Sequence, residues 1–169
     1  MTVWDKHLLD IPGFQFIDHI AIAVPPGHLE AEIEAYTMLG FRETHREEVY
    51  GGDLVREVLM EIGTGPNLIQ LLEPLSPESP VQKVLERNGG RSGFAHLALR
   101  VKNAQQAHDY MKQNGFNLID EAPRPGSRGT IVFFVHPKSR EDVAFGLLLE
   151  VVEDPASLAP PKEFDEAVR

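Results

Sequence analysis

Bulky aliphatic positions alternate with small or polar ones along two similar runs, FIDHIAIAV at residues 16–24 and GFAHLALRV at 93–101. Alternation of period two predicts strands with two unlike faces. In the first run Ile20, Ile22 and Val24 share one face, while His19, Ala21 and Ala23 share the other. In the second, Leu97, Leu99 and Val101 face away from His96, Ala98 and Arg100. The branched face suits packing on a helix. The other face sets an imidazole among alanines, which leaves space beside it.

The rest of the chain follows one order twice. After the first strand, closed by Pro25 and Pro26, Leu29, Ile33 and Tyr36 recur at helical spacing. They predict a helix over 28–39, stopped by Gly40. Strands follow at 41–49, 54–62 and 68–73, punctuated by the turn signals GGD and GTGPN. A helical segment at 80–88 ends at Gly89 and Gly90. The second strand run then leads into a helix at 104–114 and strands at 116–120, 130–135 and 146–152. Each half reads βαβββ. His19 and His96 lie 77 positions apart, and the Gly-Phe pairs at 40–41 and 115–116 lie 75 apart. The pattern predicts an α+β fold of two βαβββ modules, at 16–75 and 94–152, with a helical linker at 76–93. Residues 1–13 and the Pro-rich acidic segment 153–169 fall outside it and read as an extension and a tail.

Two polar residues interrupt apolar strands. Gln70 stands within LIQLL and Glu150 within LLLEVV. A buried carboxylate among aliphatics is costly unless it is paired or bound to a metal. Gln70 follows His19 by 51 residues and Glu150 follows His96 by 54. Each module therefore offers one imidazole from its first strand and one oxygen ligand from its last. His19, Gln70, His96 and Glu150 form an N2O2 set suited to Co2+, Ni2+, Mn2+, Fe2+ or Zn2+, with positions left for water or substrate.

Composition narrows the partners. The chain has 169 residues, enough for one compact domain, and its apolar share of 42% and charged share of 25% are those of a globular protein. No run approaches the roughly 20 apolar residues of a membrane span. The segment MTVWDKHLLDIPG lacks a secretory apolar stretch. A cytoplasmic location is compatible with both. Cysteine is absent, which excludes disulfides, thiolate ligands and a cysteine nucleophile. A net charge of −10 argues against nucleic acid as a partner and leaves small anionic ligands open.

The arrangement resembles the vicinal oxygen chelate superfamily (glyoxalases, bleomycin resistance proteins and dioxygenases), and within it the methylmalonyl-CoA epimerases. The resemblance runs from about Phe16 to Val152, carried by IDHIAIAV, HREE at 45–48, VREVLM, LIQLLEP, GFAHLALRV and FFVHPKS at 133–139. It implies paired modules curled into a mixed-sheet cup around one divalent ion, held by His19, Gln70, His96 and Glu150. It further implies Glu57 as a catalytic base, Glu150 as the group serving the opposite face, a homodimer, and an acyl-CoA substrate.

The implied reaction explains why such a set is needed. Epimerising a 2-carboxyacyl thioester removes the proton between two carbonyls and returns it to the other face. A divalent ion on the two carbonyl oxygens offsets the enolate charge, and a base on each face moves the proton. The chain departs from the family in its longer, charged SREDVAFG loop before the last strand and in a first helix without the usual paired aromatics. Both bear on the acyl group more than on the reaction. Arg124, Arg128 and Lys138 are the cations available to the CoA moiety. Three other readings remain: a lactoylglutathione lyase, an iron-dependent dioxygenase using His19, His96 and Glu150, and a metal-free protein that sequesters its ligand.

Overall fold

A computed structural model of the chain describes residues 11–142 and 144–158. Most of the N-terminal extension and of the C-terminal tail lies outside the described residues. The elements are β1 (Phe14–Ala23), α1 (Leu29–Met38), β2 (Arg42–Val49), β3 (Val55–Glu61), β4 (Leu68–Pro74), α2 (Pro80–Arg87), β5 (Gly93–Val101), α3 (Ala104–Gln113), β6 (Arg124–Pro125), β7 (Ile131–Val135) and β8 (Leu148–Glu153). One mixed, curled sheet contains all eight strands in the order β2-β3-β4-β1-β5-β8-β7-β6. The order is its own mirror across the β1–β5 seam. β1 and β5 pair antiparallel there, and each takes a parallel partner from its own module, β4 and β8.

Helices α1 and α3 cover the convex face. Leu29 and Ile33 of α1 pack with Val58, Met60 and Leu71, and Ala107 and Met111 of α3 pack with Phe133, Leu149 and Val151. Burying branched residues behind the sheet turns the alternate positions toward the concave face, as the sequence predicts. α2 closes one end of the cup, with Val81 and Leu85 packed against Ala21, Ala23 and Leu72. Its start is fixed by Ser79, whose hydroxyl accepts from the Val81 N–H, and by Pro80, whose missing N–H costs nothing in a first turn.

A second duplication lies in the helix starts. The Leu29 N–H donates to the Glu73 carboxylate at 3.1 Å, and the Ala104 N–H donates to Glu153 at 2.7 Å. Glu73 and Glu153 stand at the ends of β4 and β8, 80 positions apart, the same separation as Gln70 and Glu150. Each carboxylate satisfies an orphan donor at the positive end of a helix. Glu153→Ala should therefore lower stability by about 1 kcal/mol. The check is a lower urea midpoint at unchanged slope; an unmoved midpoint would show that the contact is neutral.

One predicted element differs. No regular strand forms over 116–120: Leu118 makes an isolated bridge to Val135, and β7 pairs instead with the two residues of β6. The cause is Asp120, whose carboxylate accepts from the Phe134 N–H at 2.7 Å and takes the place of a backbone acceptor. Pro123 follows, and Pro125 is tolerated because β6 is an edge strand. Elsewhere the predicted elements form, with boundaries displaced by at most two residues.

The curl brings the two outer edges of the sheet together. The Arg124 guanidinium lies 3.4 Å from the Asp53 carboxylate, and the Arg128 N–H donates to Glu47 at 3.2 Å. Both contacts join module one to module two across the mouth of the cup. Among the described residues no helix is long and apolar enough to cross a membrane.

Candidate metal centre and active site

Strand register assembles the site. Ala21 of β1 pairs with Gln70 on one side and His96 on the other. Ala98 of β5 pairs with His19 on one side and Glu150 on the other. The pseudo-twofold at the seam exchanges these two rows, so the four polar side chains surround two alanines on the concave face. All four are buried. Alanine at these two buried positions leaves open the space that the four polar side chains face.

Three candidate ligand atoms converge. His19 Nε2 lies 3.1 Å from His96 Nε2, and each lies 3.0 Å from Glu150 Oε2. Despite these short approaches, Glu150 Oε2 is buried without a well-aligned hydrogen bond. The three atoms face a common point more than they face each other. Cis ligands about 2.1 Å from an octahedral divalent ion stand about 3.0 Å apart, which the triangle matches. The fourth candidate is ready as well. The Gln70 Nε2 group donates to Glu57 at 2.9 Å, and its buried Oε1 has no partner. That leaves the amide oxygen, the only atom of the amide with ligand lone pairs, uncommitted.

The imidazoles are held from behind. Asp18 is the extra residue of a register shift between Ile17 and His19, and this bulge turns two successive side chains to the concave side. Its carboxylate lies 2.7 Å from His19 Nδ1 and 2.6 Å from Arg100 Nε. A proton on Nδ1 shared with Asp18 leaves the Nε2 lone pair directed at the triangle, the usual outer partner of a metal-bound histidine. Burial disfavours the charged imidazole of His19, but the Asp18 and Glu150 carboxylates outweigh it and push its pKa up to about 9. Burial alone would raise Glu150; the two imidazoles win and hold its carboxyl well below the usual range.

Glu57 projects from β3 into the cup because its neighbours Val58 and Met60 pack outward on α1. It is 3% exposed, and its Oε1 is buried without a hydrogen bond, 3.8 Å from His45 Nε2. Burial, only partly offset by Ser127, raises its pKa above the ordinary carboxylate value. His45, Glu47 and Glu57 thus form a second polar group toward the rim. A cavity of about 700 Å³, its open mouth included, joins Glu57, Gln70, His96 and Glu150. Arg124 lines the mouth, Arg128 reaches toward Asp18 at 3.7 Å, and Lys138 is exposed and lines neither the cavity nor its mouth.

Asp18, Arg100 and Ser127 enter the site without having been singled out as functional from sequence. Alternation sets Arg100 on the face of His96, and Asp18 is a carboxylate beside a histidine inside an apolar strand, but neither pattern shows the contact between them.

Residues 18–134 match the family described as the Glyoxalase/Bleomycin resistance protein/Dioxygenase superfamily. The crystal structure of methylmalonyl-CoA epimerase from Mycobacterium tuberculosis is similar with a TM-score of 0.76 at 31% identity, over 92% of this chain and 96% of that one. A Glu-to-Gln variant of the Streptomyces coelicolor methylmalonyl-CoA epimerase, in complex with 2-nitronate-propionyl-CoA, gives a TM-score of 0.74 at 31% identity, over 84% of this chain and 99% of that one. The mitochondrial methylmalonyl-CoA epimerase of Dictyostelium discoideum is 28% identical over 149 residues, 83% of this chain and 80% of its own length. Likeness of this extent, spanning both histidine strands, makes the chain a member of the glyoxalase/bleomycin resistance protein/dioxygenase superfamily, among its methylmalonyl-CoA epimerase-like proteins.

Proposed function

We infer that the chain is a metal-dependent epimerase of a 2-carboxyacyl-CoA thioester, methylmalonyl-CoA or a close analogue, acting by 1,1-proton transfer. One observation carries the reading: a buried carboxylate that is not in the ligand triangle, Glu57, is hydrogen-bonded to the candidate ligand Gln70 inside the same cavity. A dioxygenase built on His19, His96 and Glu150 gives that pair no task. A proton abstraction next to a chelated substrate needs both. The epimerase names of the similar proteins, one of them solved with an acyl-CoA analogue, support the same substrate class.

His19, His96, Glu150 and the Gln70 amide oxygen would hold one divalent ion of the Co2+, Ni2+, Mn2+, Fe2+ or Zn2+ group. Bound there, such an ion supplies Lewis acidity to the thioester and carboxylate oxygens. Glu57 takes the C2 proton on its side. Asp18 and Arg100 keep the His19 ring oriented, and the aliphatic walls of the cup limit water around the enolate. The position related to Glu57 by the pseudo-twofold is Val132, so β7 brings no second carboxylate. Among the described cavity-lining residues of module two, Glu150 is the one carboxylate left to serve the other face of C2.

Arg124 at the mouth offers positive charge to the CoA moiety. The convex face exposes Ile17, Ile20 and Phe94 along the seam, an apolar stripe suited to burial in a homodimer. An acyl-CoA substrate is compatible with a cytoplasmic location. The test is solvent deuterium exchange at C2 of (2R)- and (2S)-methylmalonyl-CoA with added Co2+. Exchange of both epimers, lost on chelation, is the expected result; no exchange with ion bound would overturn the epimerase reading.

A further inference from the structure

The proposed reaction uses Glu57 but makes no use of the HREE stretch at 45–48 on the neighbouring strand. His45, Glu47 and Val49 are the half-buried positions of β2, set between exposed neighbours. Thr44 is the extra residue of a register shift between Glu43 and His45, and the β2–β3 ladder then runs without interruption. It sets Glu47 directly across from Glu57, with His45 two residues along on the same face. Carboxylates directly opposite each other on one face of an antiparallel pair repel. A cation between them would reverse the sign of that contact.

The ligand atoms for a cation are in place. His45 Nε2 lies 3.3 Å from Glu47 Oε2 and 3.8 Å from Glu57 Oε1. One ligand atom of each of the three residues lies within 4.8 Å of the others. His45 Nε2 and Glu57 Oε1 are both buried, and neither has a hydrogen-bond partner. Glu57 itself is 3% exposed, so its unbonded oxygen has no access to bulk water in exchange. Tetrahedral ligands about 2.0 Å from a zinc ion stand about 3.3 Å apart. The His45–Glu47 spacing matches, and small rotations of these two half-buried side chains bring Glu57 into the same shell.

This group and the ligand triangle share no residue and are joined by the Gln70–Glu57 hydrogen bond at 2.9 Å. Glu47 gives its other oxygen to the Arg128 N–H at 3.2 Å, and the Arg128 charge acts on Glu57. Three protein ligands beside a cationic side chain hold an ion less firmly than the four of the first site.

We propose that His45, Glu47 and Glu57 form a second, weaker site for a divalent cation that favours tetrahedral imidazole and carboxylate ligands, Zn2+ above all, and that an ion bound there blocks the catalytic base. Glu57 Oε2 accepts from Gln70, so Oε1 is the oxygen open to a proton from C2. An ion on Oε1 withdraws it from the reaction. This consequence, unlike the site, rests on the epimerase reading above.

The probe is Zn2+ alone. Equilibrium dialysis of the full chain, with bound metal counted by elemental analysis, compares the wild type with His45→Ala and Glu47→Gln. The wild type should take up one ion tightly and a second more weakly. His45→Ala should keep the first and bind the second at least about 10²-fold more weakly, since losing even an outer partner of a ligand costs roughly 10–100-fold. Glu47→Gln keeps an acceptor for the Arg128 N–H and should weaken the second ion by at least about tenfold. A wild type that stops at one ion, or a second ion held equally by both variants, overturns the site. Solvent deuterium exchange at C2 of methylmalonyl-CoA is followed over the same range of Zn2+. It should rise with the first ion and fall with the second by at least about 10²-fold for the epimer that Glu57 serves, the scale of a lost general base. His45→Ala should stay active in excess Zn2+. Undiminished exchange with the second site filled, or equal inhibition of wild type and variant, overturns the block on the base. No exchange with the first ion bound overturns the epimerase reading, and the dialysis result decides the second site independently of it.

Discussion

His96→Ala is expected to abolish stoichiometric divalent metal while the fold survives. The apolar core lies behind the sheet under α1 and α3 and, at one end of the cup, under α2, and His96 belongs to none of these clusters. Losing an outer partner of a metal ligand costs 10–100-fold in affinity, so losing the ligand itself should cost at least about 10²-fold. Lewis-acid stabilisation of several kcal/mol at 1.36 kcal/mol per decade sets the loss of exchange rate at about 10³-fold or more. Elemental analysis after dialysis is the direct check. Metal retained at one per chain in that variant would remove His96 from the site.

The same site predicts how binding depends on pH. Without metal, His19 keeps its proton up to about pH 9, because Asp18 and Glu150 overcome its burial. A cation at Nε2 must displace that proton. Raising the pH toward 9 therefore strengthens binding, by about tenfold per unit while a single proton is released, and the gain levels off above 9. Glu150 adds nothing to this slope, since the imidazoles hold it ionised throughout. Co2+ titrations between pH 6 and 8 should show the rise; a flat profile would mean that His19 is not protonated in the free site.

Much of this centre is legible in the sequence because strand alternation is strict where it matters. Alanines at 21, 23 and 98 mark a face with room, and two polar residues inside aliphatic runs stand out as the candidate oxygen ligands. Register then places each candidate ligand beside an alanine that the alternation singles out. Asp18 escapes the same logic. Simple alternation assigns it to the face of Ile20, and only the bulge turns it inward beside His19. Bulges have no signature in a period-two count. The helix-capping pair Glu73 and Glu153 escapes for another reason: each acts on a helix start that lies far away in sequence and close in space. The strand expected at 116–120 fails because a side chain, Asp120, does work that the pattern assigns to the backbone.

Glu57 shows where alternation and chemistry meet. Val55, Glu57 and Leu59 share one face of β3, and Val58 and Met60 on the other face are packed under α1. The carboxylate has no choice but the cup. There Gln70 occupies one oxygen and leaves the other buried and unbonded, turned toward the cavity that a substrate would fill. An oxygen in that position can accept a proton from C2 without leaving the hydrogen bond that fixes its partner. Glu57→Gln keeps the size and an acceptor for Gln70 but removes the basic oxygen. Metal content and thioester affinity should stay near those of the wild type, while kcat for exchange falls by at least about 10²-fold, the scale of a lost general base. Because Val132 replaces a carboxylate at the symmetry-related position, the loss should be larger for one epimer than for the other. Deuterium incorporation measured separately from (2R)- and (2S)-methylmalonyl-CoA reads this asymmetry. Wild-type exchange from both epimers would exclude Glu57 as a base, and an equal loss from both would mean that it acts on binding or on Gln70 instead of on one face of C2.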